Sequence, residues 1–258
     1  MKKYLEFIKE HKLWGKPISE FLLWLENLSD RHFIVYDSET TGLPSNGYEI
    51  QLTQVSCVVV KYNFSNNSFE EVDSYDKKIK LTDKTKDLMG DANHRIHWVL
   101  NFNHYNSSEA DSEETDVVSE FFELLKKYDR PVLVIQNAEF DMRYLNTRNP
   151  IVKFNNEVLD TKQIIQLFYL PLLQKLSETD SKYKDMINKI GTSDRDNGLI
   201  SSSLSKIGPA LNINMNGYHD ALKDCELTIE MFSKIIDFLK EHKDIDISKY
   251  QTERIKTK

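Results

Sequence analysis

The chain has 258 residues, of which 29% are charged and 40% hydrophobic, and its formal net charge is −7. This length and apolar content suit one domain of ordinary to large size, or a domain with an appendage. The negative charge argues against a protein that holds nucleic acid over a broad basic surface, because such binding depends on many Lys and Arg contacts to phosphate.

Residues 1–10 contain Glu and Lys where the apolar core of a secretory signal would have to lie. No later run approaches the roughly 18 apolar residues of a membrane span. We therefore expect an intracellular, cytoplasmic protein with no membrane partner. The two cysteines, Cys57 and Cys225, have no CxxC or His/Cys spacing for zinc, so each is expected to be a buried, reduced thiol.

The predicted elements begin with helices. Apolar residues at helical spacing in residues 3–28, interrupted at 15–17, predict two helices packed beside the main domain. The apolar runs at 33–36 and 52–60 predict the first two strands, paired through the loop between them. A third strand is expected around residues 75–81.

The segment from Asp83 to Asp116 has weak periodicity and predicts no clear element. After it the pattern alternates between helix and strand. The predicted elements are a helix through 117–125, a strand at 131–135, a helix at 138–146, a strand at 157–160, a helix at 161–170 and a long helix at 221–242. The polar residues 175–198 are expected to form an insertion or mobile loop, and the last ten or so residues a disordered tail.

Strands first and strand–helix alternation later imply an α/β or α+β layer fold with a mixed sheet. The expected organisation is a helical extension at 1–30, a main domain at 31–242 and a tail at 243–258.

Three acidic clusters lie far apart in the chain. They are Asp37-Ser38-Glu39 after the first strand, Asn137-x-x-Phe140-Asp141 after a central strand, and His219 five residues before Asp224 at the start of the last long helix. Strand ends and helix starts of this kind meet at one edge of an open sheet. Four carboxylates and a histidine are what two-metal phosphodiester hydrolysis needs, because hard divalent cations take oxygen ligands and the attack needs a base. Together the clusters predict a nuclease.

Each cluster alone has an ordinary structural explanation. A D-x-E pair suits a surface or capping role, and Asp141 could simply favour the positive end of a helix dipole. Asn137 could be a helix N-cap, and Asp220 a dipole partner near the start of its helix. Only the joint pattern favours a catalytic site.

The order of the clusters resembles the DEDDh, or DnaQ-like, 3′→5′ exonuclease superfamily. The likeness covers roughly residues 32–240 and includes Leu52–Ser56, Leu159-Asp160-Thr161, Ser203–Ile207 and Leu211–Ile213. A DEDDy member would carry Tyr four residues before the last Asp, where this chain has Asp220, whereas His219 occupies the DEDDh position. Gln54 and Gln136 depart from the family, which often has Glu and His there.

The resemblance implies an RNase H-like α/β fold, with a mixed five-stranded sheet flanked by helices and an N-terminal helical extension. It implies two Mg²⁺ or Mn²⁺ ions held by Asp37, Glu39, Asp141 and Asp224, with His219 as the general base. The substrate-binding residues expected by resemblance are Ser38, Thr40, Thr41, Gly42, Leu43, Asn137 and Phe140. The implied reaction releases nucleoside 5′-monophosphates from a 3′ end.

The expected substrate is single-stranded nucleic acid, with DNA favoured over RNA, and a polymerase or a second copy of the chain is a candidate partner. Two alternatives stay open. One is a non-catalytic nucleic-acid-binding or polymerase-associated scaffold of the same fold, and the other is an RNase H-like endonuclease.

Overall fold

The computed structural model describes residue 13 and residues 15–148, 156–193 and 198–256. Its main sheet has five strands in the order β3-β2-β1-β4-β5. The strands are β1 His32–Thr40, β2 Leu52–Asn63, β3 Ser68–Lys78, β4 Val132–Ile135 and β5 Val158–Asp160. The first three form an antiparallel meander, and β4 and β5 join it in parallel on the other side of β1. The predicted mixed five-stranded sheet is therefore confirmed.

Helices surround the sheet. They are α1 Ile18–Glu26, α2 Asp83–Met89, α3 Arg95–Phe102, α4 Glu114–Lys126, α5 Ala138–Arg148, α6 Thr161–Ile164, α7 Leu170–Leu176, α8 Ser181–Ile190, α9 Leu204–Ala210, α10 Ala221–Glu241 and α11 Ser248–Lys256. A π-helical segment, Ile165–Tyr169, joins α6 to α7, so the helix predicted for 161–170 continues to Leu176. Among the described residues, no helix combines the length and apolar character needed to cross a bilayer.

The sheet separates two apolar layers, because successive side chains of a strand point to opposite faces. Phe33 and Val35 pack with α1 and α10 on one face, whereas Ile34 and Tyr36 pack with α4 and α5 on the other. Burying a large apolar side chain contributes about 1.5–3 kcal/mol, so these two layers supply most of the stabilisation of the fold.

The two cysteines lie in different layers. Cys57 of β2 belongs to the α4–α5 side and Cys225 of α10 to the opposite side, and both are buried and free. Burial raises the pKa of the Cys57 thiol to about 12 and raises that of Cys225 well above its usual range. The prediction that both thiols are buried is confirmed.

Several boundaries differ from the sequence-based expectations. The third strand begins at Ser68 rather than near residue 75, because its polar residues face solvent and give no apolar pattern. The segment 83–116, which predicted no element, contains α2 and α3. Of the two helices expected in residues 3–28, the second is confirmed as α1, and residues 1–12 lie outside the described part of the chain.

The prediction of a mobile loop at 175–198 is wrong for the residues that the structure describes. Asp180 caps α8 by accepting a hydrogen bond from the Lys182 backbone N–H at 2.9 Å, and Ile190 at the other end of the helix is 1% exposed. A short hairpin, β6 Thr192–Ser193 and β7 Leu199–Ile200, follows. A local cap and one buried anchor are enough to order this polar segment.

The prediction of a disordered C-terminal tail is also wrong for residues 248–256, which form α11. Ile247, just before it, is 1% exposed and joins the core on the α10 side. Gln251 is also 1% exposed, and its side-chain amide donates to the carbonyls of Lys16 at 3.0 Å and Leu167 at 2.8 Å. These contacts hold the segment against the domain despite its polar composition.

Candidate active site

The first part of the site is the end of β1, in the middle of the sheet. Asp37 and Glu39 are two residues apart on this strand, so their side chains share one face. The register between β1 and β2 shifts between Glu39 and Thr40. Such a bulge bends the strand and re-aims the residues that follow. It therefore places the turn after Thr40 beside the carboxylates.

Asp141 reaches the same place from the first turn of α5, which follows β4. It is only 2% exposed. The Ser38 backbone N–H and hydroxyl both donate to Asp141 Oδ1, at 3.1 and 2.7 Å. These two bonds join the acidic cluster of β1 to that of α5.

The third part is the start of α10. Asp224 lies in the first turn, is 5% exposed, and accepts a hydrogen bond from the His219 backbone N–H at 3.3 Å. His219 Nδ1 is 3.9 Å from Glu39 Oε1. One potential ligand atom from each of Glu39, His219 and Asp224 lies within 4.8 Å of the other two. The three sequence clusters therefore converge in space.

The four carboxylates have raised pKa values. Burial is the main cause at Asp37 and Glu39, and repulsion from neighbouring carboxylates raises both pKa values further, well above the usual range. Burial likewise raises the pKa of Asp141 to about 7 and that of Asp224 to about 7, although hydrogen bonds oppose the shift at both. Burial and mutual repulsion therefore make full ionisation of the four carboxyl groups unfavourable unless a positive charge lies nearby.

Within residues 15–148, 156–193 and 198–256, none of these carboxylates forms an ion pair with lysine or arginine. Burying a charge without a partner is costly, so such a cluster needs compensation. Hard divalent cations prefer oxygen donors, and this donor set consists of carboxylates. A divalent cation therefore fits the chemistry of the site.

His219 is half-buried beside the carboxylates. Burial lowers the pKa of its imidazole to about 4, and His104 contributes to the same shift. The ring is therefore neutral at physiological pH, the form that can accept a proton. The backbone of His219 is left-handed, with φ of +74°.

Most polar groups in the turn after β1 form hydrogen bonds within the protein. The Thr41 N–H donates to the Gln51 carbonyl at 2.9 Å, and Tyr48 Oη donates to the Thr41 carbonyl at 2.7 Å. Thr40 Oγ1 donates to the Gly42 carbonyl at 2.8 Å. Thr40, Thr41 and Gly42 are buried, whereas Leu43 is 37% exposed. Leu43 is thus the member of this turn that a ligand can reach most easily.

Gly42 is required by close packing within the same turn. A Cβ atom at this position would lie 2.4 Å from Asn46 Nδ2 and 2.5 Å from Tyr48 Oη. A side chain at this position would therefore displace the ends of the Asn46 and Tyr48 side chains, and with them the hydrogen bond from Tyr48 to Thr41.

Asn137 and Phe140 lie at the start of α5. Asn137 has a φ of +71°, its N–H donates to Asp160 Oδ1 at 3.1 Å, and its side-chain oxygen accepts from Lys162 Nζ at 3.2 Å. Phe140 is half-buried, with its ring 5.2 Å from that of Tyr144. Both residues therefore have structural contacts beside the site.

Sequence reasoning did not assign a role to Gln54, which is 3% exposed on β2. Its side-chain oxygen accepts from the Ala221 N–H at 3.2 Å, and its amide donates to Asp220 at 3.3 Å and Asp76 at 2.8 Å. Asp220 in turn caps α10 by accepting from the Lys223 N–H at 3.2 Å. Gln54 thus anchors the segment that carries His219 and Asp224, and Asp220 has a capping role.

Sequence reasoning also missed an aromatic contact to His219. The Phe102 ring, at the end of α3, lies 3.9 Å from the His219 ring, and the Trp98 ring stacks on Phe102 at 4.9 Å. Trp98 and Phe102 are four residues apart, the spacing of neighbours on one helical face. That spacing was the available signal, but it does not show which part of the chain the two rings approach.

The strand order and the helices on both faces define an RNase H-like fold. Among solved structures, E. coli exonuclease I in complex with a dT13 oligonucleotide is similar, with a TM-score of 0.54 and 18% identity over 79% of this chain and 40% of that one. Its zinc-bound complex with single-stranded DNA also has a TM-score of 0.54, at 15% identity, covering 82% of this chain and 42% of that one.

The curated relatives are PolC-type DNA polymerase III proteins from two strains of Staphylococcus epidermidis. Each is 26% identical over 224 residues, which cover 83% of this chain and 12% of the polymerase. No family model matches the chain. The chain thus spans less than half of exonuclease I and a small part of the polymerase, and the likeness to exonuclease I concerns the fold.

Proposed function

We propose that this protein is a metal-dependent 3′→5′ exonuclease that removes nucleoside 5′-monophosphates one at a time from single-stranded DNA. The observation that carries the proposal is the convergence of Glu39, His219 and Asp224, with potential ligand atoms within 4.8 Å of one another beside Asp37 and Asp141. An acidic cluster with an adjacent neutral imidazole suits hydrolysis of a phosphodiester bond.

In this proposal Asp37, Glu39, Asp141 and Asp224 would hold two divalent cations, Mg²⁺ or Mn²⁺. When bound, such ions lower the pKa of a water molecule and stabilise charge on the leaving oxygen. The Ser38 hydroxyl and N–H fix the Asp141 carboxylate, and the His219 N–H fixes that of Asp224. Both ligands are therefore held in place before substrate arrives.

His219 acts as the general base. Its imidazole accepts the proton of the water that attacks the phosphorus, while the bond from phosphorus to the 3′-oxygen of the shortened strand breaks. The position of His219 supports this role, because its Nδ1 lies 3.9 Å from Glu39 Oε1, beside the carboxylates that would hold the ions.

Single-stranded DNA is the proposed substrate for two reasons. The similar exonuclease I structures contain oligonucleotides or single-stranded DNA, and the curated relatives are DNA polymerases. The net charge of −7 also limits the number of phosphate contacts, which disfavours tight binding of a long duplex. The match to part of a polymerase supports a polymerase partner as a further hypothesis, and a second copy of the chain is the other candidate.

The test uses a single-stranded oligodeoxynucleotide labelled at its 5′ end. With Mg²⁺ or Mn²⁺ the protein should produce a ladder that shortens from the 3′ end, and chelator should abolish it. The His219→Ala variant should produce the same ladder about 10²- to 10⁴-fold more slowly.

Three results would contradict the proposal. Activity that survives chelation would exclude the metal mechanism. Internal fragments at early times would indicate an endonuclease. A folded protein that leaves matched DNA and RNA strands intact with either metal would indicate a non-catalytic scaffold.

A further inference from the structure

The outer face of α3 carries an exposed stripe that the proposed chemistry does not use. Arg95, Trp98 and Phe102 occupy positions i, i+3 and i+7 of this helix, so they lie on one face. The remaining apolar residues of α3, Ile96, Val99 and Leu100, are buried. The helix therefore presents one aromatic face to solvent while another holds it to the domain.

Trp98 is 57% exposed and Phe102 is 41% exposed, which places both among the most exposed large apolar side chains of the described residues. Their rings are nearly parallel, with an interplanar angle of 16° and a centroid separation of 4.9 Å. Apolar surface left in water costs about 25 cal/mol per Å² relative to burial. An aromatic pair kept accessible in this way is suited to a planar ligand.

The aromatic pair is continuous with the candidate active site. The Phe102 ring lies 3.9 Å from the His219 ring, and the Trp98 ring stacks on Phe102. A ligand stacked on Trp98 would therefore lie close to Phe102, which contacts His219. The Arg95 guanidinium lies 5.9 Å from the centre of the Trp98 ring on the exposed side of α3. It lies over the Trp98 ring, so a base that stacks there would meet Arg95, whose flexible side chain can turn its charge to a phosphate of the same strand.

Hydrogen bonds and ring contacts at both ends fix α3 relative to the carboxylates. After the helix, the Asn103 amide, which is 8% exposed, donates to the Thr40 carbonyl at 3.0 Å. Before it, the His94 ring packs 5.0 Å from the ring of Tyr48, which itself bonds Thr41. The rings are thus held at a set position next to the end of β1, which lowers the entropic cost of binding a ligand there.

We propose that Trp98 and Phe102 form a stacking platform for unpaired bases upstream of the bond that is cut, with Arg95 contacting the phosphate backbone. We call these three residues the α3 platform. The inference rests on the proposed function in that the strand bound by the platform is the one whose end is hydrolysed. Stacking on an aromatic side chain contributes about 1–3 kcal/mol per base and tolerates any sequence, because every base has a π-face. It gives an acidic protein affinity that does not depend on many phosphate contacts.

Base stacking gives the platform two binding properties. Bases in a duplex are already stacked on each other, so the platform selects single strands. Stacking does not involve the 2′-position of the sugar, so the platform contributes equally to binding of DNA and RNA. Discrimination between the two must then come from residues nearer the carboxylates.

The test measures binding separately from hydrolysis. Fluorescence anisotropy of a labelled oligodeoxyadenylate in chelator gives the Kd of the wild-type protein and of the Trp98→Ala variant. Trp98→Ala should raise Kd at least about fivefold, and Trp98→Phe should restore most of the affinity because it retains an aromatic face. Trp98 is chosen over Phe102 because Phe102 contacts His219. Leu23→Ala removes a side chain that is 59% exposed on α1 and serves as the matched control, with Kd unchanged.

Two further readouts identify stacking. Binding of the oligonucleotide should quench the intrinsic tryptophan fluorescence, and Trp98→Phe should lose part of this quenching while keeping affinity. In steady-state digestion, Trp98→Ala should raise KM more than it lowers kcat.

Equal Kd values for wild type and Trp98→Ala would overturn the platform, whether or not the protein is active. Concentration-dependent self-association lost in Trp98→Ala, with oligonucleotide binding intact, would overturn it in favour of a protein contact. If the wild-type protein binds through Trp98 but shortens no strand, the proposed function fails, whereas the base-stacking role of Trp98 and Phe102 stands.

Discussion

At the residue scale, the site stores unfavourable electrostatic energy. Asp141 is nearly fully buried and its carboxylate has a pKa near 7, so keeping it ionised at neutral pH costs stability. Such a group is retained for function when a ligand compensates the charge. The folded domain without metal should therefore tolerate a neutral residue at this position better than the native one.

Asp141→Asn should stabilise the protein in chelator at about pH 8, by at most about 4 kcal/mol, and abolish hydrolysis. Because the folded-state pKa is raised, the folded state retains a proton that the unfolded state releases near pH 4. Wild-type stability should thus fall as pH rises from about 4 through about 7. The variant should lose less stability over this range, because Asn can still accept the bonds from Ser38.

Thermal unfolding with and without Mn²⁺ checks this expectation. Binding to the folded state alone stabilises by about 2.7 kcal/mol at 100 times Kd, so Mn²⁺ should raise the wild-type Tm. It should raise the Tm of Asp141→Asn much less. A variant that is less stable than wild type in chelator at about pH 8 would contradict the electrostatic argument.

At the element scale, the position of His219, the proposed general base, depends on how α10 begins. Asp220 caps the helix and is itself held by Gln54 from β2, 166 residues away in sequence. The left-handed backbone of His219 needs such support from its surroundings, because this conformation is unfavourable for a non-glycine residue.

Asp220→Ala should destabilise the protein by about 0.5–2 kcal/mol through loss of the cap and should also lower kcat. It should leave the Mn²⁺-dependent rise in Tm in place, because Asp220 is not one of the proposed ligands. Asp220→Asn retains a capping oxygen and is the matched control. Loss of the metal response in both Asp220→Ala and Asp220→Asn would show that the carboxylate of Asp220 binds metal.

The helices and strands also show which parts of the fold and of the candidate site can be predicted from the sequence. Strands β1, β2 and β4 and helix α10 were predicted because their buried faces impose regular apolar patterns. The acidic residues were found because residue type and order suggest their chemistry. The contact between Phe102 and His219 was not predictable, because it joins a helix of eight residues to a loop far along the chain. The role of Gln54 was missed for the same reason, whereas the place of Asp220 at the start of its helix was one of the explanations that the sequence offered.

At the scale of the whole molecule, the two ends of the described chain meet on one side of the fold. Gln251 in α11 bonds Lys16 near the start and Leu167 in the π-helical segment, and Ile247 adds apolar contact. The C-terminal segment therefore belongs to the cooperative unit of the domain, even though its composition resembles that of a tail.

Ile247→Ala should destabilise the domain by about 2–5 kcal/mol, because it leaves a cavity in the core. Lys249→Ala, which changes an exposed residue of α11, should alter stability by no more than about 0.5 kcal/mol. Urea denaturation of both variants measures the difference. An Ile247→Ala protein as stable as Lys249→Ala would mean that the segment is attached only weakly.

The two cysteines have a consequence for experiment, because one thiol lies in each apolar layer of the sheet. A buried thiol reacts with a modifying reagent only when its surroundings open. The rate at which each cysteine is labelled under native conditions therefore reports the opening of its own layer. Variants that keep only one cysteine would give the labelling rate of each layer separately. Equal rates would indicate that the two layers open together, and different rates that they open in sequence.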